Sequence, residues 1–200
     1  MAFVLSGLLL LGWVGYELWG TGVGTAHAQA VLRASLAHGY PARPIPGRAD
    51  GIIRIPRIAL DMAFVEGIGL DQLAEGPGHY PWTPLPGSGG NVAIAGHRTT
   101  HLAPFWSLNT LRQGDLVYLQ TREGTFVYQV IWQAVVGPNS MWVTARTPIP
   151  ALTLTTCNPR FNSTQRLVVR AIQIFGPTGH GFMDDRLQTG VAVDGSVAAQ

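Results

Sequence analysis

The chain is 200 residues long, enough for one domain of ordinary size plus appendages, and only 12% of it is charged. Its 25 glycines and 14 prolines fit short strands joined by tight turns rather than long helices. A net charge of +2 without any Lys/Arg run gives no nucleic-acid surface, and a single cysteine rules out an internal disulfide and a cysteine zinc cluster.

The N-terminus is apolar from Ala2 to Tyr16, with Trp13, Tyr16 and Trp19 towards its far end. A helical membrane span needs roughly 20 residues, and aromatic residues at one end suit the interfacial belt. Residues 1–24 are therefore expected to form a transmembrane anchor. Ala26-His27-Ala28 has the small-x-small form of a signal-peptide cleavage site, but no Lys or Arg precedes Arg33. The missing basic start favours an uncleaved anchor and suggests that the true start lies upstream. Either reading sends the rest of the chain across a membrane.

Residues 25–50 read as stalk and linker. Thr25 to Leu36 is alanine-rich and helix-compatible, and His38 to Gly51 carries three prolines and three glycines. From residue 51 to 175 the texture is that of strands. "IIRIPRI" and "MAFVEG" predict two of them, and "LDQLAEG" a brief helix ended by Gly76. "GPGHYPWTPLPGSGG" is a turn-rich loop, "NVAIAG" a buried strand, and "APFWSLNTL" a short helix. "DLVYLQ" and "TFVYQVIWQAVV" flank "TREG" as a β-hairpin, and "ALTLTT" and "RLVVRAIQIF" supply the last strands. Seven or eight strands without a βαβ rhythm predict an all-β, closed barrel with one or two short helices. Residues 176–200 are glycine-rich and without periodicity, as in a flexible tail.

Three strand ends carry residues with chemical potential. Cys157 follows "ALTLTT", His97 follows "NVAIAG", and Arg166 opens "RLVVRA". A thiolate near an imidazole can attack a carbonyl, the imidazolium can protonate a leaving amine, and an arginine can hold the oxyanion and favour thiolate. No third carboxylate accompanies them. The plainer readings are a buried cysteine, a histidine capping its strand and a solvated edge arginine. His79 is either structural or a cleft-lining residue. His97 and His101 lie four apart, but in a strand-to-loop transition lacking the glutamate of a zinc-protease helix, so no metal is expected.

These motifs resemble those of the sortase family. Thr153-Leu154-Thr155-Thr156-Cys157 followed by Arg166 is similar to the family's Thr-Leu-x-Thr-Cys…Arg pattern, and "NVAIAGHRTT" to its histidine-bearing strand. "GYELWGTG", "LAEGPGHYP" and "TTCNPRF" are similar to class E sortases of actinobacteria. The resemblance covers about residues 10 to 175 and implies an eight-stranded sortase barrel, membrane-anchored by a single pass, with its catalytic domain extracellular. It implies that Cys157 attacks the Thr-Gly bond of an LPxTG- or LAxTG-like sorting signal on a secreted protein. An amine of a peptidoglycan precursor then resolves the thioacyl enzyme. His97 would be the general acid and base, Arg166 the oxyanion holder, and Thr156 a substrate-contacting neighbour. His101 stands where class E relatives often carry a tyrosine associated with alanine in the signal. No cofactor is implied. Val136 to Ile149 contains no Asp or Glu, which argues against calcium there. An L,D-transpeptidase would need a Ser/Thr-His-Gly-Cys segment where this chain has "LTTCNP". A pilin-polymerising sortase and an inactive sortase-like scaffold remain as alternatives.

Overall fold

The structure, a computed structural model, describes residues 2–16 and 20–177. The expected tail beyond Pro177 lies outside the described residues, as do Glu17 and Trp19 of the expected anchor. Helix α1, Ala2–Gly15, has 14 residues, and Phe3, Leu5, Leu9 and Trp13 stand exposed along it. No described helix is long and apolar enough to cross a membrane. At about 1.5 Å per residue α1 covers roughly 21 Å, short of the ~30 Å hydrocarbon core.

The next helix, α2 (Thr21–His38), belongs to the domain rather than to a free stalk. Its buried residues are Thr25, Gln29, Leu32 and Leu36, spaced by four, three and four, which is one helical face. Leu32 and Leu36 pack with Ala49, Ala63 and Val65. Gln29 docks as a strand residue would. Its Oε1 accepts from the Ala63 amide at 2.8 Å, while its Nε2 donates to Ala63 O at 3.0 Å and to Glu75 O at 2.8 Å. A buried amide with every group satisfied fixes the helix in place.

The strands are β1 (Ala49–Ile55), β2 (Leu60–Glu66), β3 (Gly78–His79), β4 (Asn91–Ala95), β5 (Leu116–Thr121), β6 (Gly124–Val136), β7 (Ala151–Asn158) and β8 (Gln165–Phe175). They close into a barrel in the order β1-β2-β3-β4-β7-β8-β6-β5, with β2–β3 and β4–β7 parallel and the other pairs antiparallel. The barrel is filled by Ile53, Phe64, Ile94, Phe105, Phe126, Tyr128, Leu152 and Leu154, among others. Strands β5 and β6 alternate buried and more open positions, as one-faced strands do, whereas all of β4 and most of β7 are buried on both faces. That is why "NVAIA" and "ALTLT" read as unbroken runs. The outward threonines of β7 are satisfied by their neighbours: Thr153 donates to Asn91 Oδ1 of β4 at 2.7 Å, and Thr155 pairs with the hydroxyl of Tyr80, in the loop after β3, at 2.9 Å.

The expected β5–β6 hairpin is present. Thr121 faces Gly124 across Arg122-Glu123, and Gly124 takes φ +122°, open to glycine at no steric cost. The brief helix is α3, Leu70–Glu75. Two expectations fail. "APFWSLNTL" is a set of turns with one three-residue 3-10 segment, Leu108–Thr110, because its start belongs to a left-handed stretch, His101, Leu102 and Ala103 at φ +54°, +62° and +44°. The turn-rich loop hides β3, whose two residues bridge β2 to β4 and close that side of the barrel.

Candidate active site

Parallel pairing of β4 with β7 runs to Ala95↔Thr155. One residue further, the Gly96 amide donates to Thr155 O at 3.1 Å, and Thr156 Oγ1 returns a bond to Gly96 O at 2.7 Å. The next residues are His97 and Cys157, so the register sets them abreast at one end of the barrel. On the other side of β7, antiparallel pairing places Cys157 opposite Arg166. The register places all three candidates at this end, each half-buried.

His97 lies against His101, with ring centroids 4.7 Å apart and planes 21° from parallel. Burial holds its pKa below the ordinary histidine value, and the nearby His101 charge lowers it further, so the neutral ring dominates near neutral pH. The backbone beyond His97 turns sharply through the left-handed residues 101–103. It is tied by Phe105 N to His97 O at 3.0 Å, Ala103 N to Thr100 O at 2.8 Å, and His101 N to Thr21 Oγ1 at 3.3 Å. The last contact makes the start of α2 a buttress of the histidine loop. Left-handed non-glycine residues cost of order 1–3 kcal/mol each and persist where their surroundings over-determine them.

Arg166 Nη1 donates to Ser163 O at 2.7 Å and Gln165 O at 2.9 Å, which leaves the rest of its fork uncommitted to that turn. Thr156 is buried, and its hydroxyl is committed to Gly96 O, so it braces the strands that carry His97 and Cys157. His101 stays partly exposed beside His97.

Sequence reasoning missed Arg98. It is 5% exposed, and its Nη1 donates to Cys157 O at 3.1 Å and to Asn158 Oδ1 at 2.6 Å, its Nη2 to Asn109 Oδ1 at 3.1 Å. Nearby, Arg160 lies 4.1 Å over the Trp106 ring, and Phe161 meets the same ring edge-on. The available signal was an arginine directly after the strand-end histidine, and that does not distinguish a solvated side chain from a buried one.

His79 belongs elsewhere. Its Nδ1 meets Glu66 Oε2 at 2.7 Å, and both side chains are almost wholly buried. Asp50 hydrogen-bonds Glu66 in turn, and burial raises the Asp50 pKa to about 8. Donor atoms of Asp50, Glu66 and His79 lie within 4.8 Å of one another, close enough for a metal ion, and Asp50 Oδ2 is buried without a hydrogen-bond partner among the described residues. A cavity of about 470 Å³ between the Pro41–Pro44 segment, Leu85, Thr121 and Phe126 is likewise remote from the chemistry and touches none of Cys157, His97 or Arg166.

The Sortase domain family matches residues 53–174. Sortase SrtE1 of Streptomyces coelicolor is 34% identical over 192 residues, covering 84% of this chain and 54% of that protein, so the chain spans about half of that relative's length. A solved structure of Sortase E1 from Streptomyces coelicolor with a tripeptide in the active site superposes with a TM-score of 0.61 at 30% identity, covering 66% of this chain and 92% of that one. A Clostridium perfringens Sortase D5 transpeptidase superposes at 0.62 with 27% identity, over 73% and 88% of the two chains.

Proposed function

The chain belongs to the sortase family of cysteine transpeptidases, and from that premise we propose that it cleaves a sorting signal between Thr and Gly and passes the new acyl end to an amine. The observation that carries this reading is the strand register, which sets Cys157 abreast of His97 and opposite Arg166.

Cys157 Sγ, as thiolate, attacks the threonine carbonyl, forming the S–C bond and an oxyanion. The free donors of Arg166 hold that oxyanion. The C–N bond to glycine breaks as imidazolium His97 gives its proton to the departing amine. In the second half, an acceptor amine attacks the thioester, His97 takes the amine proton, and the Cys157 thiolate leaves. His101, beside the acid, contacts the signal, and Thr156 keeps nucleophile and acid in step. The substrate is a secreted protein with an LPxTG- or LAxTG-like signal, and the acceptor a peptidoglycan precursor amine. A peptide substrate agrees with the tripeptide held by the Streptomyces coelicolor relative.

Sortases are extracellular, envelope-associated enzymes, and exposed apolar residues along α1 support anchoring of the N-terminus in a bilayer. The test uses the full chain in detergent, because α2 packs on the barrel. Incubated with LPxTG and LAxTG peptides and an amine, the wild type is expected to give a thioacyl adduct on Cys157 and a ligated product, ranked between the peptides by mass spectrometry. Cys157→Ala is expected to give neither. A folded wild type with an accessible thiol and no adduct from either peptide would remove this reading.

A further inference from the structure

Among the described residues, Arg98 is a buried cation that meets no carboxylate. Among the described residues its fork reaches only neutral acceptors: the Cys157 carbonyl and the side-chain oxygens of Asn158 and Asn109. Its Nε is buried without a partner. A second cation, Arg160, works against it, and both reach the same Asn109 oxygen, at 3.1 and 3.5 Å. Burying a charge without a counter-charge is unfavourable, and two cations together make it worse. Burial and Arg160 push the Arg98 pKa down, and Cys157 is the neighbour that favours its charge. The geometry sets this cation at the nucleophile itself, 3.1 Å from the Cys157 carbonyl oxygen, and a guanidinium beside a cysteine favours thiolate.

The contacts are also mechanically specific. One guanidinium group holds the nucleophile by its own carbonyl, holds the next side chain, and joins both to the loop after His97 through Asn109. Asn158 continues the link to Gln165 across the β7–β8 turn at 3.1 Å. Because Arg98 follows His97 directly, acid and nucleophile are tied by one side chain.

We propose that Arg98 is a positioning residue for the nucleophile, fixing the Cys157 backbone against the histidine loop and supplying the standing positive charge that favours thiolate. This rests on the transpeptidase reading of the same site. It assigns to Arg98 the charge compensation, and leaves Arg166 for the substrate oxyanion.

The test compares the full-length wild type with Arg98→Lys and Arg98→Met, and has two arms. In the first, without substrate, iodoacetamide alkylation of Cys157 is followed against pH by intact mass. In Arg98→Met the midpoint is expected to move up by about 1 pH unit, the size of a lost neighbouring charge. In Arg98→Lys it is expected to stay near wild type, because the charge remains. In the second arm, peptide turnover is expected to fall by roughly 10- to 100-fold in kcat in both variants with KM little changed, because lysine cannot span three acceptors and misplacement by an ångström is costly.

A folded Arg98→Met with unchanged alkylation midpoint and kcat would overturn the proposal. So would variants that melt earlier and turn over slowly while the midpoint stays put, since that is a staple alone. If Arg98→Met fails to fold, Arg98→Lys still decides: unchanged kcat there defeats the positioning role. A wild type that alkylates normally but ligates no peptide removes the transpeptidase reading, and the first arm still decides whether Arg98 governs the thiol.

Discussion

His79 lies in β3 and His97 just beyond the neighbouring β4, yet the protein treats them in opposite ways. His79, in β3, is closed in on every side. Thr83 Oγ1 donates to Tyr80 O at 2.9 Å, so it accepts from His79 Nε2 at 3.1 Å, and that nitrogen carries a proton. The other nitrogen faces Glu66 at 2.7 Å, with Asp50 hydrogen-bonded behind. His97, just beyond β4, has a ring for a neighbour instead of a carboxylate and remains partly open. A histidine whose two nitrogens are both spoken for is a structural part. A histidine stacked but unpaired, with its proton held loosely, can exchange one with a substrate.

Exchanging each ring for a neutral amide breaks the comparison most sharply. His97→Gln is expected to lower kcat/KM by about 10³-fold or more, as loss of a general acid does, with a melting temperature within about 2 °C of wild type. His79→Gln strands Glu66 as a buried unpaired charge and is expected to cost about 3–5 kcal/mol, lowering the melting temperature by roughly 10 °C or more. Turnover per folded molecule is expected to survive. Calorimetry and peptide kinetics on the two variants decide it; matching losses of stability and rate in both would mean the two histidines are not differently employed.

The same contrast shows which parts were legible from sequence. The strand-end positions of Cys157 and Arg166 are legible in "ALTLTT" and "RLVVRA", where a side chain can project while the sheet holds the backbone; that the two face each other comes from the register. The β5–β6 hairpin announced itself through alternation and Gly124. Strand β3 did not, because Gly78 and His79 have no strand-forming side chains and are held only by ladders to β2 and β4. Asp50, Glu66 and His79 come from three separated segments, and no local pattern says that one acid supports another. The docking of α2 was invisible for a related reason: Gln29 among alanines looks solvated, and its partners Ala63 and Glu75 lie more than thirty residues away. Periodicity reports which face is buried, not which distant polar group completes it.

A smaller effect distinguishes the clusters by pH. The Asp50 pKa is about 8 in the folded protein against 3.8 for the free side chain, so between those values the folded state binds more protons than the unfolded one. Stability from this group is therefore fully present below pH 3.8 and is lost as pH rises towards 8. Glu66, held low by His79 against the opposing effect of its own burial, acts in the other direction, losing stability as pH falls below the ordinary carboxylate range. Asp50→Asn keeps a donor to Glu66 and removes the titration. It is expected to flatten the decline in stability between pH 5 and 8, read from urea midpoints on a pH series. A decline as steep as in wild type would place its origin outside the cluster.

The smallest expected change concerns His101. It stacks on His97 and adds a positive charge when protonated, the second cause of the lowered His97 pKa after burial. His101→Phe keeps an aromatic face and removes the charge. The His97 pKa is then expected to rise part of the way back towards the ordinary value, with the burial contribution left in place. An upward shift enlarges the imidazolium fraction near neutral pH, so the limb of the rate profile governed by His97 moves to higher pH. Histidine NMR titration measures the first effect without substrate, and the peptide pH profile measures the second. An upward NMR shift with no movement of that limb would assign the limb to another group and take the acid role from His97. No NMR shift would mean that burial alone holds the ring neutral and that His101 matters through its shape.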